Sequence, residues 1–346
     1  MRILLIGDFT GRGDEGLSKI SKTFLDLISD QNEVLKLNTK ETILPLNVLK
    51  IIKFNPDIIH YITGVTIRSF IVAKLLKLIC LNKPKTIISA IRAFLTSSQI
   101  SFIKYVKPTL ILTQAQKWET IFQEKGITTK FLPNPVDTNK FKRSDVNKDM
   151  IRRKYNLPLD KKIILHVGHI RKNRNIESLV EVYEKLNMSS YQVVLVASSY
   201  FSLDIELYNR LNNSGLIIIT DYINNIEEIY NSADIYLFPT KGLQKEYFPK
   251  EYQEVGVIDL PLSLLEALAV GLPIITTHVD SLERLINNYA DNNIFYWNGE
   301  NSEMPELLEK VESLKKVENE KHVQQFANTN IKIVINSIYE MILRQN

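Results

Sequence analysis

At 346 residues, 45% hydrophobic and 24% charged, the chain is longer than one core usually serves and has the makeup of a soluble globular protein with two domains. A single cysteine, Cys80, excludes an intramolecular disulfide framework and a cysteine-rich metal site, and it points to a reducing compartment. The net charge of +4 is uneven: residues 1–150 hold 23 Lys+Arg against 13 Asp+Glu, and residues 151–346 hold 20 against 26. This asymmetry sets an anionic surface or substrate against the first half. The lysines are scattered and no aromatic-interleaved basic motif occurs, so nucleic acid fits less well than an anionic membrane surface or a phosphate-bearing lipid acceptor.

The N-terminal MRILLIG runs straight into Asp8, as a first strand does and a signal peptide does not. No charge-free run reaches the length that a transmembrane helix needs. Apolar runs at Arg2–Ile6, Val34–Leu37, Ile58–Ile62, Thr86–Ser89 and Thr109–Thr113 predict strands, with helical patterns such as Leu17–Ile28 and Ile67–Leu81 between them. That alternation is the grammar of parallel α/β units. After the first strand, Gly11, Gly13 and Gly16 spell G-x-G-x-x-G. The spacing from the strand and Asn38 after the second strand, where an acid is wanted, argue against a dinucleotide site. A glycine loop admitting a phosphate or sugar to backbone N–H groups, or a surface turn, is left. Ile67–Leu81, with Lys74 and Lys77 among its apolar residues, reads either as a core helix with snorkelling lysines or as one lying on a membrane. His60, at a strand end, is either functional or a hydrogen-bonded structural histidine.

Phe131 to Phe141, FLPNPVDTNKF, followed by the polar Lys142–Asp149, predicts an interdomain hinge with its linker at about 142–149. Strands resume at Lys162–Val167, Gln192–Ala197, Leu216–Thr220, Ile235–Phe238 and Ile274–Thr277, making a second doubly wound domain. Its first strand leads through Gly168 into a loop holding His169, Arg171, Lys172 and Arg174. Cations there add to the positive end of the next helix and suit a diphosphate, although a solvated basic loop has the same residues. Asp259 to Thr277, DLPLSLLEALAVGLPIITT, predicts a helix begun near Pro261, closed by Gly271 and followed by a strand. Its residues are apolar on every side except for Ser263 and Glu266, three apart and on one face. A buried lone carboxylate needs donors, so Glu266 faces either a ligand with hydroxyls or amides, or solvent at a surfacing helix end. The tail from Asn330 to Arg344 has helical spacing.

LPLSLLEALAVGLPIITT, GHIRKNRNIESL, FLPNPVDTNKF and IEEIYNSADIYLFPT together resemble retaining glycosyltransferases of family 4, once called glycosyl transferases group 1. The resemblance covers about 120 to 345 well and the earlier part more loosely. It implies a GT-B fold: two Rossmann-like doubly wound domains facing a central cleft. The first would be an acceptor-side domain over 1–141, with the C-terminal helix 330–346 returning to it, and the second a donor-binding domain over 150–329. It implies transfer of a sugar from a UDP- or GDP-linked donor to a glycan, lipid-linked or small-molecule acceptor, without metal or cofactor, in cytoplasmic cell-envelope glycan biosynthesis at the inner face of a membrane. By the same likeness Glu266 holds the ribose hydroxyls and Arg174 stands for the family's lysine on the diphosphate, with His169 in the place of its usual arginine. Leu262 and Ser263 bring backbone N–H groups to the phosphates, and Gly13 and Gly16 approximate the glycine loop of the first domain. The sequence departs from the family where the first glutamate of E-x7-E falls on Ile258, with Asp259 the neighbouring carboxylate. It departs again near Ile91, where the family's frequent histidine is absent and Arg92 is adjacent. A catalytically degenerate nucleotide-sugar-binding protein is the alternative these departures suggest.

Overall fold

The structure is a computed structural model that describes all residues except 12–15, 63–65, 91–94, 171–173, 187–188, 198–203, 240–259, 278–280, 283–292, 316 and 345–346. It divides into two compact units. Met1 to Pro135, Leu260 and the chain from Phe326 onward form the first; Val136 to Pro239 and Pro261 to Gln325 form the second.

In the first unit β1 (Arg2–Gly7), β2 (Glu33–Asn38), β3 (Ile58–Tyr61), β4 (Lys85–Ala90), β5 (Leu110–Thr113) and β6 (Thr129–Phe131) make one parallel sheet. Its order is β2-β1-β3-β4-β5-β6. The near-continuous apolar runs of β1, β3 and β5 are buried on both faces, as parallel strands under two helical layers must be. The helices are α1 (Gly16–Ser29), α2 (Pro45–Phe54), α3 (Ile67–Ile79), α4 (Ser97–Phe102) and α5 (Gln116–Glu124). Right-handed crossovers put α1 on one face of this sheet and α2 to α5 on the other. The C-terminal helix Asn328–Arg344 packs on α1, with Lys332 paired to Asp30 and Asn32 donating to Asn336 Oδ1. Its Tyr339 reaches into the sheet and meets His60 Nδ1 at 2.7 Å.

In the second unit β7 (Lys162–Val167), β8 (Tyr191–Val196), β9 (Ile217–Ile219), β10 (Ile235–Phe238), β11 (Ile274–Thr276) and β12 (Ile294–Tyr296) form another parallel sheet. Its order, β12-β11-β10-β7-β8-β9, is that of a doubly wound nucleotide-binding sheet. The direction of winding reverses between β7 and β10, and such sheets bind ligands beyond the carboxyl ends of the strands at that point. Helices α6 (Lys148–Lys154), α7 (Ser178–Lys185), α8 (Ile205–Asn212), α9 (Ile226–Ser232) and α10 (Leu262–Val270) accompany it, with a further helix at Met304–Glu312. Residues 142–149, read above as the linker, are held on this unit. Arg143 donates to the Gly271 and Val317 carbonyls, Asn231 accepts from the Ser144 N–H, and Lys148 pairs with Asp234. No helix among the described residues is long and apolar enough to cross a membrane.

Candidate functional site

The reversal point in the second unit is built around His166, one residue before the end of β7. Its Nδ1 lies 2.8 Å from the Leu237 carbonyl on β10, an acceptor only, so Nδ1 carries the proton and Nε2 is left as an acceptor. The ring packs against Tyr236 and Phe238. Burial above all, helped by the Arg174 charge and opposed by the Leu237 bond, pushes its pKa down to about 4. The Arg174 guanidinium therefore acts electrostatically on the end of β7. Gly168 follows, and here glycine is required by space: a Cβ would sit 2.6 Å from His166 Nε2. The loop then turns through Asn175, at φ 52°, whose side-chain amide donates to the Pro239 carbonyl just past β10. Both sides of the crevice are thus pinned together.

Helix α10 points its start at the same region. Pro261 is the N-cap, with extended backbone, and the first intrahelical bond runs from Leu265 N–H to the Pro261 carbonyl. The N–H groups of Leu262, Ser263 and Leu264 precede that bond, and no described side chain caps them. Such a terminus is positive and favours an anion. At the other end Gly271 takes φ 81°, and its left-handed turn closes the helix as its sequence position predicts.

The polar face of α10 meets two tyrosines. The Tyr236 hydroxyl donates to the Val167 carbonyl at 3.5 Å, and both Ser263 and Glu266 act on it electrostatically. Glu266 is only 5% exposed, and its Oε2 accepts from the Tyr230 hydroxyl of α9 at 2.9 Å. Burial, then the Glu266 charge, keeps the Tyr230 hydroxyl protonated far above its ordinary range, so it stays a donor.

Arg174, Leu262, Ser263 and Glu266 thus fall on the two elements that flank the reversal point, and His169 lies half-buried in the first loop. Arg171, Lys172, Asp259 and Ile258 lie outside the described residues, as do Gly13, Ile91 and Arg92. Gly16 opens α1, where a Cβ would meet nothing within 4 Å among the described residues, so none of these demands glycine. The demand lies at Gly7, whose Cβ would stand 2.7 Å from Ser21 Oγ. Asn38 Oδ1 accepts from the Phe9 N–H, so the residue in the place of a ribose-binding acid ties down the loop instead. His60 is fully buried between Tyr339 and Ser89 Oγ, both at 2.7 Å, and has the structural role. Sequence reasoning missed His166, Tyr230 and Tyr236. Tyr230 and Tyr236 lie inside IEEIYNSADIYLFPT, and their six-residue spacing across a helix-to-strand turn gave no sign that both would reach α10.

The family model described as glycosyl transferases group 1 matches residues 147–332, more than half of the chain. A Bacillus subtilis (strain 168) protein, whose name assigns it provisionally to teichuronic acid biosynthesis as the glycosyltransferase TuaC, is 25% identical over 165 residues. The match covers 47% of this chain and 37% of that relative. N-acetyl-alpha-D-glucosaminyl L-malate synthase of Bacillus anthracis is 22% identical over 172 residues, 49% of this chain and 40% of the relative. The chain spans about two fifths of the length of the curated relatives it matches. Among solved structures, Anabaena Alr3699/HepE in complex with UDP and glucose superposes with a TM-score of 0.75 at 13% identity, over 99% of this chain and 100% of that one. Sucrose-phosphate synthase (tll1590) from Thermosynechococcus elongatus gives 0.77 at 14% identity, over 100% of both chains. At these identities the likeness is one of fold, the two-domain GT-B architecture.

Proposed function

The chain belongs to the glycosyl transferases group 1 family, and on that footing we propose that it transfers a sugar, hexosyl in type, from a nucleotide diphosphate sugar to an acceptor with retention of the anomeric configuration. The observation that carries this reading is that the Arg174 loop follows β7 and the α10 start, with Ser263 and the buried Glu266, follows β10, the two strands between which the sheet reverses. Glu266, oriented by Tyr230, would accept from the ribose hydroxyls. Arg174 and the N–H groups of Leu262 and Ser263 would hold the diphosphate. Arg171 and Lys172, neighbours of Arg174 in sequence, would add charge to the same loop, and Asp259 would stand in for the missing first glutamate.

The chemistry follows from the direction in which charge moves. As the bond to the anomeric carbon breaks, negative charge builds on the leaving diphosphate. Fixed donors aimed at that charge stabilise the transition state more than the ground state. The departing phosphate can itself take the acceptor's proton, so the transfer needs no general base from the protein, no metal ion and no further cofactor. The donor is UDP- or GDP-linked, and the acceptor is a glycan, a lipid-linked sugar or a small molecule. The work of the enzyme belongs to cell-envelope glycan synthesis in the cytoplasm, with an anionic membrane surface as the partner of the basic first half.

The test is a thermal-shift series with UDP, GDP, UDP-glucose and GDP-mannose, followed by donor hydrolysis and transfer assays. A ligand bound by the native state alone raises the melting temperature. One nucleotide series stabilises the wild type, while Glu266→Gln and Arg174→Ala each lower kcat/KM for the donor by about tenfold to a hundredfold, the worth of a charge-assisted hydrogen bond. Wild-type rates in both variants at limiting donor would sink the assignment. Binding with neither hydrolysis nor transfer favours the non-catalytic nucleotide-sugar-binding alternative.

A further inference from the structure

The first unit carries an unusual run of sequence on one side of its sheet. From Glu41 to Glu119, the 77 intervening residues hold eleven Lys and Arg and one acid, Asp57. That one acid, just before β3, accepts from the Arg2 backbone N–H at 2.8 Å and from the Asn82 side-chain amide at 3.3 Å, and its other neighbour is the Arg2 guanidinium at 3.7 Å. This stretch includes α2, α3 and α4, all on the face of the sheet opposite α1. Neither α2 nor α3 contains an acidic residue.

Both helices expose apolar side chains that a soluble surface does not require. Helix α3 is apolar nearly all round, yet it buries only Ser69, Phe70, Val72, Ala73 and Leu76. A helix of that composition is normally enclosed. Here Ile71, Leu75 and Leu78 stand outward at the i, i+4, i+7 spacing of one stripe, and Leu78 is 68% exposed. Leu81 in the following turn is 83% exposed. Helix α2 buries Ile51 alone and leaves Leu46 and Leu49 at 75% and 62% exposure. The two helices are neighbours: Asn82, after α3, bonds to Asn55 at the end of α2 through both its N–H and its side-chain amide. On the other flank, Lys74 donates to the Tyr105 carbonyl.

The cations stand beside these leucines. Lys50 and Lys53 lie on the outward side of α2 with Leu46, in the same i, i+4, i+7 relation. Arg68 and Lys74 border the α3 stripe, and Lys83 follows Leu81. Exposed leucines beside lysines and arginines, on two helices that carry no acid, match a negatively charged interface with an apolar interior. A protein partner of ordinary composition would call for a polar rim of both signs.

We propose that the outward face of α2 and α3, with the turn at Leu81 and Lys83, docks the protein flat on an anionic lipid bilayer. At 13 residues, α3 is about 20 Å long and lies along the interface. Its leucines enter the acyl boundary, and the lysine stems snorkel to the headgroups. The docking face rests on the membrane partner proposed above and is independent of the donor site.

Sedimentation of the full chain with large vesicles tests it, using pure phosphatidylcholine against phosphatidylcholine with one third phosphatidylglycerol. The wild type binds the anionic vesicles, releases as salt rises and ignores the neutral ones. Lys50→Glu/Lys53→Glu and Leu75→Ser/Leu78→Ser each weaken partition by about tenfold or more, with unaltered nucleotide stabilisation of the second unit. The charge-reversal pair lies wholly on the surface, so it decides the matter if the leucine pair fails to fold. Wild-type binding retained in both variants overturns this face while leaving a membrane partner standing. Failure of the wild type to bind overturns both. A dimer dispersed by Leu75→Ser/Leu78→Ser, without vesicle binding, overturns the proposal and gives the face to a second copy of the chain.

Discussion

The Tyr230 hydroxyl donates to Glu266 Oε2 over 2.9 Å, joining α9 to the middle of α10 with both side chains out of solvent. Removing a donor from a buried carboxylate costs about 1.5–3 kcal/mol, because the charge keeps its desolvation penalty and loses a partner. Tyr230→Phe removes the donor and leaves the ring against Phe141 and Tyr236. Tyr236→Phe cuts the bond to the Val167 carbonyl instead, which is neutral at both ends. Urea unfolding of the second unit is expected to show Tyr230→Phe as the more destabilising change, and nucleotide affinity should fall in the same order. Equal stability of the two variants would mean that Tyr230 does not hold the carboxylate.

The two buried histidines make a pH prediction with a definite sign. Burial pushes His60 down to about 3, and His166 stands at about 4, against 6.5 for a free ring. Below pH 6.5 the unfolded chain takes up protons at these rings that the folded chain refuses. Stability is therefore full above pH 6.5 and is lost as the pH falls towards each folded value, at about 1.4 kcal/mol per pH unit per ring. At pH 5 each histidine costs its own unit roughly 2 kcal/mol. Ring-proton NMR of the folded chain reads this directly: neither His60 nor His166 titrates between pH 5 and 8. A midpoint near 6.5 for either ring contradicts its enclosure.

Most of the architecture was legible from the sequence, for a physical reason. Parallel strands covered on both faces are continuous apolar runs, and β7 and β10 begin and end where those runs do. The strands not foreseen, Thr129–Phe131 and Ile294–Tyr296, are three-residue strands at the sheet edges, too short to carry a pattern. The helix at 262–270 was readable because Pro261 and Gly271 punctuate it and no competing signal lies between them. What surrounds Glu266 was not readable, since Tyr230 and Tyr236 reach it through tertiary packing from α9 and β10. The outward leucines of α3 were equally hidden: composition identifies an apolar helix, and only the fold decides which of its sides is covered.

Glycine placement makes the last prediction, because the motif and the geometry disagree about which glycines matter. The G-x-G-x-x-G pattern singles out Gly16, yet a Cβ there meets none of the described residues at the start of α1. Gly16→Ala therefore removes backbone freedom from the unfolded chain at no steric cost and should stabilise by about 0.4–1 kcal/mol. Gly7 lies outside the motif, and its Cβ would stand 2.7 Å from Ser21 Oγ and 2.9 Å from Ser21 Cβ. Ser21 cannot swing aside freely: its hydroxyl accepts from the Asp8 N–H and donates to the Leu17 carbonyl. Gly7→Ala must push α1 off β1, an overpacking cost of about 1–3 kcal/mol. Gly168→Ala repeats the conflict in the second unit against His166, which the Leu237 carbonyl holds in place. Thermal unfolding of the three alanine variants should show a rise for Gly16 and falls for Gly7 and Gly168. Only the Gly168 variant should also lose nucleotide stabilisation, since its clash lies in the loop that carries Arg174. A fall for Gly16→Ala as large as that for Gly7→Ala would return the structural demand to the motif.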